Sequence, residues 1–163
     1  MNSKTIHTLT LAGVLSAFIV LLTTAISIPI PGGLGYVNLG DAAVLFSAML
    51  LGSPWGILCG GAASALSDLI LGYGIYVPAT LVIKAGMAAM LLFLSNIFPK
   101  KLLPLALYIS SACVPFGYLL YESCLYGILS AWTNFGFNLI QALIGASIAC
   151  LLYHTTNRIR KGK

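Results

Sequence analysis

Gly-Tyr-Val-Asn-Leu-Gly-Asp at residues 35–41 opens the stretch that decides the fold, and Lys84 closes it. Between them lie two apolar runs, Asp68, and Tyr-Gly-Ile-Tyr-Val-Pro at residues 73–78. Four charged residues sit inside apolar segments of this chain, and three of them, Asp41, Asp68 and Lys84, are here; the fourth is Glu122. A charge at the middle of a membrane helix costs about 2.5–3.5 kcal/mol on insertion scales. A chain that keeps four of them uses them.

The surroundings identify the solvent. The 163 residues are 60% hydrophobic and 7% charged, with a mean hydropathy of +1.02. Soluble domains carry about 25% charged residues, so this is an integral membrane protein. At about 20 residues per crossing the length fits roughly six helices and leaves no room for a soluble domain. No phosphate-binding Gly-x-x-x-x-Gly-Lys occurs, so ATP, if consumed, is consumed by a partner. Nothing calls for a cofactor or metal. Cys59, Cys113, Cys124 and Cys150 are scattered through apolar runs without a Cys-x-x-Cys pair and read as small buried side chains. The formal charge of +5 is confined to tails and one loop, which makes it a statement about topology rather than about nucleic acid.

Punctuation by Gly and Pro divides the chain into six expected helices, at about residues 8–30, 39–51, 55–71, 78–98, 102–126 and 131–153, forming an all-α bundle. Residues 31–38 make the first loop, rich in glycine (Gly32, Gly33, Gly35). Helix two is short for a perpendicular crossing. Pro78 suits a first helical turn, and Pro115 predicts a kink in helix five. Lys4, Lys100, Lys101, Arg158, Arg160, Lys161 and Lys163 all fall on one side of such a bundle, and the opposite loops carry no Lys or Arg. The positive-inside rule then places both termini in the cytoplasm.

With that topology the polar residues gather at one depth. Asp41, Asp68, Lys84 and Glu122 come from four helices, all in the outer half. Asn134, Asn138 and Gln141 recur at i, i+4 and i+7 on one face of helix six, and Tyr118 stands one turn before Glu122. Tyr36, Asn38, Tyr76 and Trp132 crowd the outer ends, while Tyr73 and Tyr126 suit an interfacial aromatic belt. Structural ion pairing, Asp68 or Asp41 with Lys84, accounts for part of the pattern. It cannot account for all of it, because three carboxylates face one ammonium. A pocket open to the outside, with aromatic walls and a few convergent polar groups, accounts for the rest.

These residues resemble the substrate-binding S components of energy-coupling factor (ECF) vitamin transporters. The resemblance rests on Tyr-Val-Asn-Leu-Gly-Asp at 36–41, Gly60-Gly61, Ser64-Ala65, Asp68, and Tyr76 through Lys84. It is strongest to the branch for vitamin B6 or hydroxymethylpyrimidine, with riboflavin S components more distant. It implies six helices, a pocket near the outer face, loop 31–38 as a gate, and toppling on a transmembrane coupling subunit driven by two ATPases. Ala12, Gly13, Ser16 and Ala17 are similar to the small-residue element by which S components dock on that subunit, with Gly13 in the first place of the spaced pair.

The expected cargo is a small aromatic nitrogen heterocycle, foremost vitamin B6, whose phenolate would meet Lys84; hydroxymethylpyrimidine or a riboflavin-like molecule are the alternatives. An intramembrane enzyme is disfavoured, since no Gly-x-Ser-x-Gly or His-Glu-x-x-His occurs and His7 and His154 sit at the cytoplasmic ends. A stand-alone carrier would show paired broken helices in two halves, and none is visible.

Overall fold

A computed structural model describes residues 2–30 and 35–161. The chain is mostly helical. Helix α1 spans Ser3–Ala25, and its first turn is capped by the Asn2 side chain, which accepts from the Lys4 amide at 3.5 Å. That cap draws Lys4 and His7 into the helix, which therefore starts earlier than the hydropathy of residues 8–30 indicates.

The far end differs more. The helix stops at Ala25, and Ser27–Pro29 leaves as a strand, β1, that pairs antiparallel with β2, Tyr36–Asn38. The register is Ser27 with Asn38, Ile28 with Val37 and Pro29 with Tyr36, and the Ile30 amide donates to the Gly35 carbonyl at 3.0 Å. Expectation of an all-α chain is corrected here by a short ribbon. Pro29 is admissible because a two-stranded ribbon has only edge strands. Gly32 and Gly33, at the tip of the expected gate, lie outside the described residues. Gly35 is described, with a φ of +122° that side-chain-bearing residues rarely adopt.

Helices α2 (Gly40–Leu51) and α3 (Trp55–Ile70) are short. At 1.5 Å per residue they reach about 18 and 24 Å, less than the roughly 30 Å of bilayer hydrocarbon. A 3-10 turn at Gly74–Tyr76 leads into α4 (Val77–Ile97), with Pro78 in its first turn. The next run is divided into α5 (Leu103–Ser111) and α6 (Cys113–Tyr126) at Ala112. Pro115 has no N–H to offer the Ser111 carbonyl four residues back, so the ladder is interrupted there. Helix α7 runs from Ile128 to Lys161, beyond the expected 131–153 at both ends, because no proline follows Pro115. Among the described residues four helical segments are long and apolar enough to cross a membrane: Ser3–Ala25, Gly74–Ile97, Lys100–Tyr126 and Ile128–Thr156.

The short helices are central. Ala42, Ala43, Val44 and Leu45 of α2 are completely buried, and α2 packs against α1, α3, α4 and α7. Glycines permit the close approach. A Cβ on Gly61 of α3 would lie 2.8 Å from the Leu81 carbonyl of α4. One on Gly145 of α7 would lie 2.8 Å from the Asp41 Cβ. Small-residue contacts of this kind drive helix association where lipid removes the hydrophobic incentive. They also hold Asp41 in place.

Candidate ligand-binding site

Asp41 lies in the first turn of α2, and Lys84 two turns into α4. The Lys84 ammonium donates to Asp41 Oδ1, and both side chains are buried. Gln141 of α7 donates from Nε2 to Asp41 Oδ2 at 2.9 Å, and its Oε1 accepts the Asn38 backbone N–H at 2.7 Å. The Asn38 side chain accepts from the Gly40 amide at 2.8 Å, turning the chain into α2. Ribbon, central helix and α7 are thus tied through one ion pair. Lys84 also sits 5.7 Å from the centroid of the Tyr118 ring, within cation–π range.

The other two carboxylates have a different environment. Asp68, near the end of α3, accepts the Tyr36 hydroxyl on Oδ1 at 2.6 Å. Glu122 of α6 accepts the Tyr76 hydroxyl on Oε1 at 3.2 Å, and the Asn134 side chain also hydrogen-bonds this carboxylate. Asp68 is 3% exposed and Glu122 2%, yet Asp68 Oδ2 and Glu122 Oε2 have no hydrogen-bond partner among the described residues. An unmet polar atom in a buried position is costly, so each marks a place where something else belongs.

Both carboxylates line the same cleft. It holds about 450 Å³ of empty space, part of it open to solvent. Of the residues singled out in the sequence, Gly35, Tyr36, Asn38, Asp68, Tyr76, Lys84, Tyr118, Glu122, Asn138 and Gln141 form its wall. Three others stand elsewhere. Asp41 lies behind the wall, bonded to Lys84 and Gln141. Asn134 is fully buried behind Glu122. Trp132, expected to stack on a ligand, is 56% exposed and packs on Phe135 at 5.1 Å, away from the cleft; two positions before Asn134, it points to another face of α7.

Four wall residues were not among the expected site residues: Thr23, Ile30, Ser64 and Thr80. Ser64 and Thr80 precede Asp68 and Lys84 by four residues, one turn on the same face, which was the available signal. Thr80 is held at 2.7 Å from the Tyr118 hydroxyl. Tyr73, assigned to a belt, stacks on Tyr36 with ring centroids 4.8 Å apart. The aromatic wall thus extends from the ribbon to α6 through Tyr36, Tyr73, Tyr76 and Tyr118.

The docking residues also separate. Gly13 and Ala17 are exposed on the outer face of α1, and among the described residues no other element comes within 4 Å of a Cβ placed on Gly13. Ser16 is half-buried. Ala12 is buried and turned inward, its carbonyl accepting from the Cys59 thiol at 3.6 Å, so it contributes to the chain's own packing instead of an outer surface.

With the geometry in hand, known proteins provide an independent comparison. The family described as "ECF-type riboflavin transporter, S component" matches residues 3–158. The thiamine precursor transporter HmpT of Lactococcus lactis subsp. cremoris (strain MG1363) is 29% identical over 153 residues, which cover 93% of this chain and 89% of that protein. An uncharacterized protein of Pyrococcus woesei, from a gap 3' region, is 32% identical over 127 residues, covering 77% and 85%. The solved S component of a bacterial ECF transporter superposes with a TM-score of 0.78 at 20% identity, over 96% of this chain and 99% of that one. The biotin S-component of an ECF-type ABC transporter gives 0.56 at 19% identity, over 94% of each chain. The two structures show a common fold. The match over residues 3–158 shows the family, and the chain belongs to the ECF-type S components, the substrate-binding subunits of vitamin transporters.

Proposed function

We propose that this S component binds hydroxymethylpyrimidine, the aminopyrimidine precursor of thiamine, in the cleft between the ribbon, α3, α4, α6 and α7. The observation that carries this reading is how the charges are partnered. Lys84, the one cation in the wall, is engaged by Asp41, while Asp68 and Glu122 each present an oxygen with no partner among the described residues. A ligand suited to that wall brings hydrogen-bond donors. The pyrimidine has an exocyclic amine and a hydroxymethyl group, and the similarity to a thiamine precursor transporter points the same way.

Vitamin B6, the first expectation from sequence, loses its specific support. Its phenolate was to meet Lys84, whose charge Asp41 already offsets. Tyr36 and Tyr76 remain the stacking partners, and Asn138 a further polar contact. Titration of purified protein with the pyrimidine, pyridoxine and riboflavin tests the assignment. Tight binding of the pyrimidine alone supports it, and preference for pyridoxine reverses it.

The transport cycle follows the family pattern. Six passes are formed by α1, α2, α3, α4, α5 with α6, and α7, of which α2 and α3 are shorter than the hydrocarbon is thick; both termini are cytoplasmic in a prokaryotic cell membrane, and the cleft faces outward. Loop 31–38, of which residues 35–38 are described, is its gate. Gly13 and Ala17 present the face for the coupling subunit, which works with two ATPases. Gly13→Leu should leave ligand affinity and melting temperature unchanged, because no other element among the described residues comes within 4 Å of a Cβ at that position. It should abolish co-purification with a coupling subunit and uptake by cells. Full uptake by that variant would remove α1 as the docking face.

A further inference from the structure

The chain has three acidic residues, Asp41, Asp68 and Glu122, and all three converge on one polar layer. One lysine, Lys84, faces them, and it is paired with Asp41. Two formal negative charges are therefore left in the wall without a cation, both more than nine-tenths buried and each with one oxygen unpartnered among the described residues. The groups facing Asp68 and Glu122 supply neutral hydrogen bonds: Tyr36 from β2 and Thr80 from α4 to Asp68, Tyr76 from the 3-10 turn and Asn134 from α7 to Glu122; the charge of Lys84, already paired with Asp41, also reaches Asp68. Tyr118 of α6 stands near, engaged with Thr80 of α4. None of these hydroxyls or amides neutralises a carboxylate, and burial makes an unneutralised one expensive.

We infer that the bound ligand is a cation: the heterocycle is held in its ring-protonated form, and binding takes up one proton near neutral pH. This rests on the assignment of Asp68 and Glu122 to the ligand site and extends it to the charge state of the cargo. The chemistry is balanced by a single proton. It comes from water, forms one N–H bond at a ring nitrogen, and is shared with a carboxylate oxygen facing it. The exocyclic amine and hydroxymethyl group supply neutral donors to the remaining acceptors. An aminopyrimidine accepts a proton more readily than a flavin, and an anion would meet two uncompensated carboxylates. The same wall therefore rejects the phosphorylated form of its own ligand.

The sign of the pH dependence follows from the proton count. The complex holds one more proton than its separated components, so affinity rises as pH falls, by about tenfold per unit while the uptake is complete.

Titration calorimetry of the full chain with the hydroxymethylpyrimidine, repeated at pH 7–8 in buffers of different ionisation enthalpy, counts the protons directly. The expected result is uptake approaching one proton per ligand, with tighter binding at pH 6.5 than at pH 7.5. Either Asp68→Asn or Glu122→Gln, whichever carboxylate faces the ring nitrogen, should lose the uptake while the other keeps it. Melting temperature, read alongside, confirms that both variants are folded. Identical heats in all buffers with binding intact would overturn the cationic ligand and leave the pyrimidine assignment standing. Failure of the pyrimidine to bind at any pH, with pyridoxine bound by the same preparation, would overturn both.

Discussion

Asp41 and Asp68 are the same side chain, buried to nearly the same degree on neighbouring helices, and they have opposite surroundings. Asp41 uses both oxygens, one for Lys84 and one for Gln141, and lies behind the cleft. Asp68, which lines the cleft, accepts from Tyr36 on one oxygen and leaves the other unmet among the described residues. Glu122 repeats the second pattern with Tyr76. Burial alone therefore does not separate a structural charge from a ligand-seeking one. The number of acceptor positions left unmet does, since evolution has no reason to keep a buried half-satisfied carboxylate for stability.

The comparison can be broken most strongly at Lys84. Lys84→Met leaves Asp41 buried and uncompensated and should destabilise the protein by about 3–5 kcal/mol. A large fall in the melting temperature of the ligand-free protein in detergent is the expected reading; an unchanged melt would place Asp41 among the ligand contacts. Next in size is the opposite case. Asp68→Asn or Glu122→Gln should cost about 1.5–3 kcal/mol of ligand affinity, or roughly tenfold to a hundredfold, with little change in the ligand-free melt. If instead the melt falls and affinity holds, these two carboxylates are structural.

Gln141→Met sharpens the boundary, because Gln141 touches both regions. It leaves Asp41 Oδ2 and the Asn38 amide unmet, at a cost of about 1–3 kcal/mol of stability. The ligand should also dissociate faster, since β2 loses its tie to α7. Loss of stability without faster dissociation would separate the ribbon from ligand retention. The smallest effect belongs to Thr80→Val, which removes one neutral hydrogen bond from Tyr118 and should cost about 0.5–1.5 kcal/mol.

What was legible in the sequence was whatever stood out against an apolar background. Charges inside apolar runs named Asp41, Asp68, Lys84 and Glu122, and helical periodicity put Asn134, Asn138 and Gln141 on one face. Pro115 announced the interruption at Ala112 because its missing N–H is a local property. The division of labour among the carboxylates was not legible, because it depends on which helices meet. The ribbon was hidden for the same reason: pairing of Ser27 with Asn38 is non-local, and Ile28 and Ile30 read as helix by hydropathy. Hydroxyls gave no signal, since in membrane helices they commonly bond back along their own helix, as Thr23 does to the Ile19 carbonyl at 2.8 Å. Trp132 misled because aromatic content at a helix end carries no direction.

The ribbon has one further consequence. Three residue pairs without a third strand are marginal on their own in water. Its order derives from two side-chain ties, Tyr36 to Asp68 at one end and Asn38 to Gln141 at the other. Amide hydrogens of Ser27, Ile28 and Tyr36–Asn38 should therefore exchange with deuterium faster than those of α2, whose residues Ala42 to Leu45 are sealed inside the bundle. A ligand that engages Asp68 alongside Tyr36 slows that exchange without touching the ribbon's backbone, so occupancy of the cleft can be read from isotope uptake at its rim.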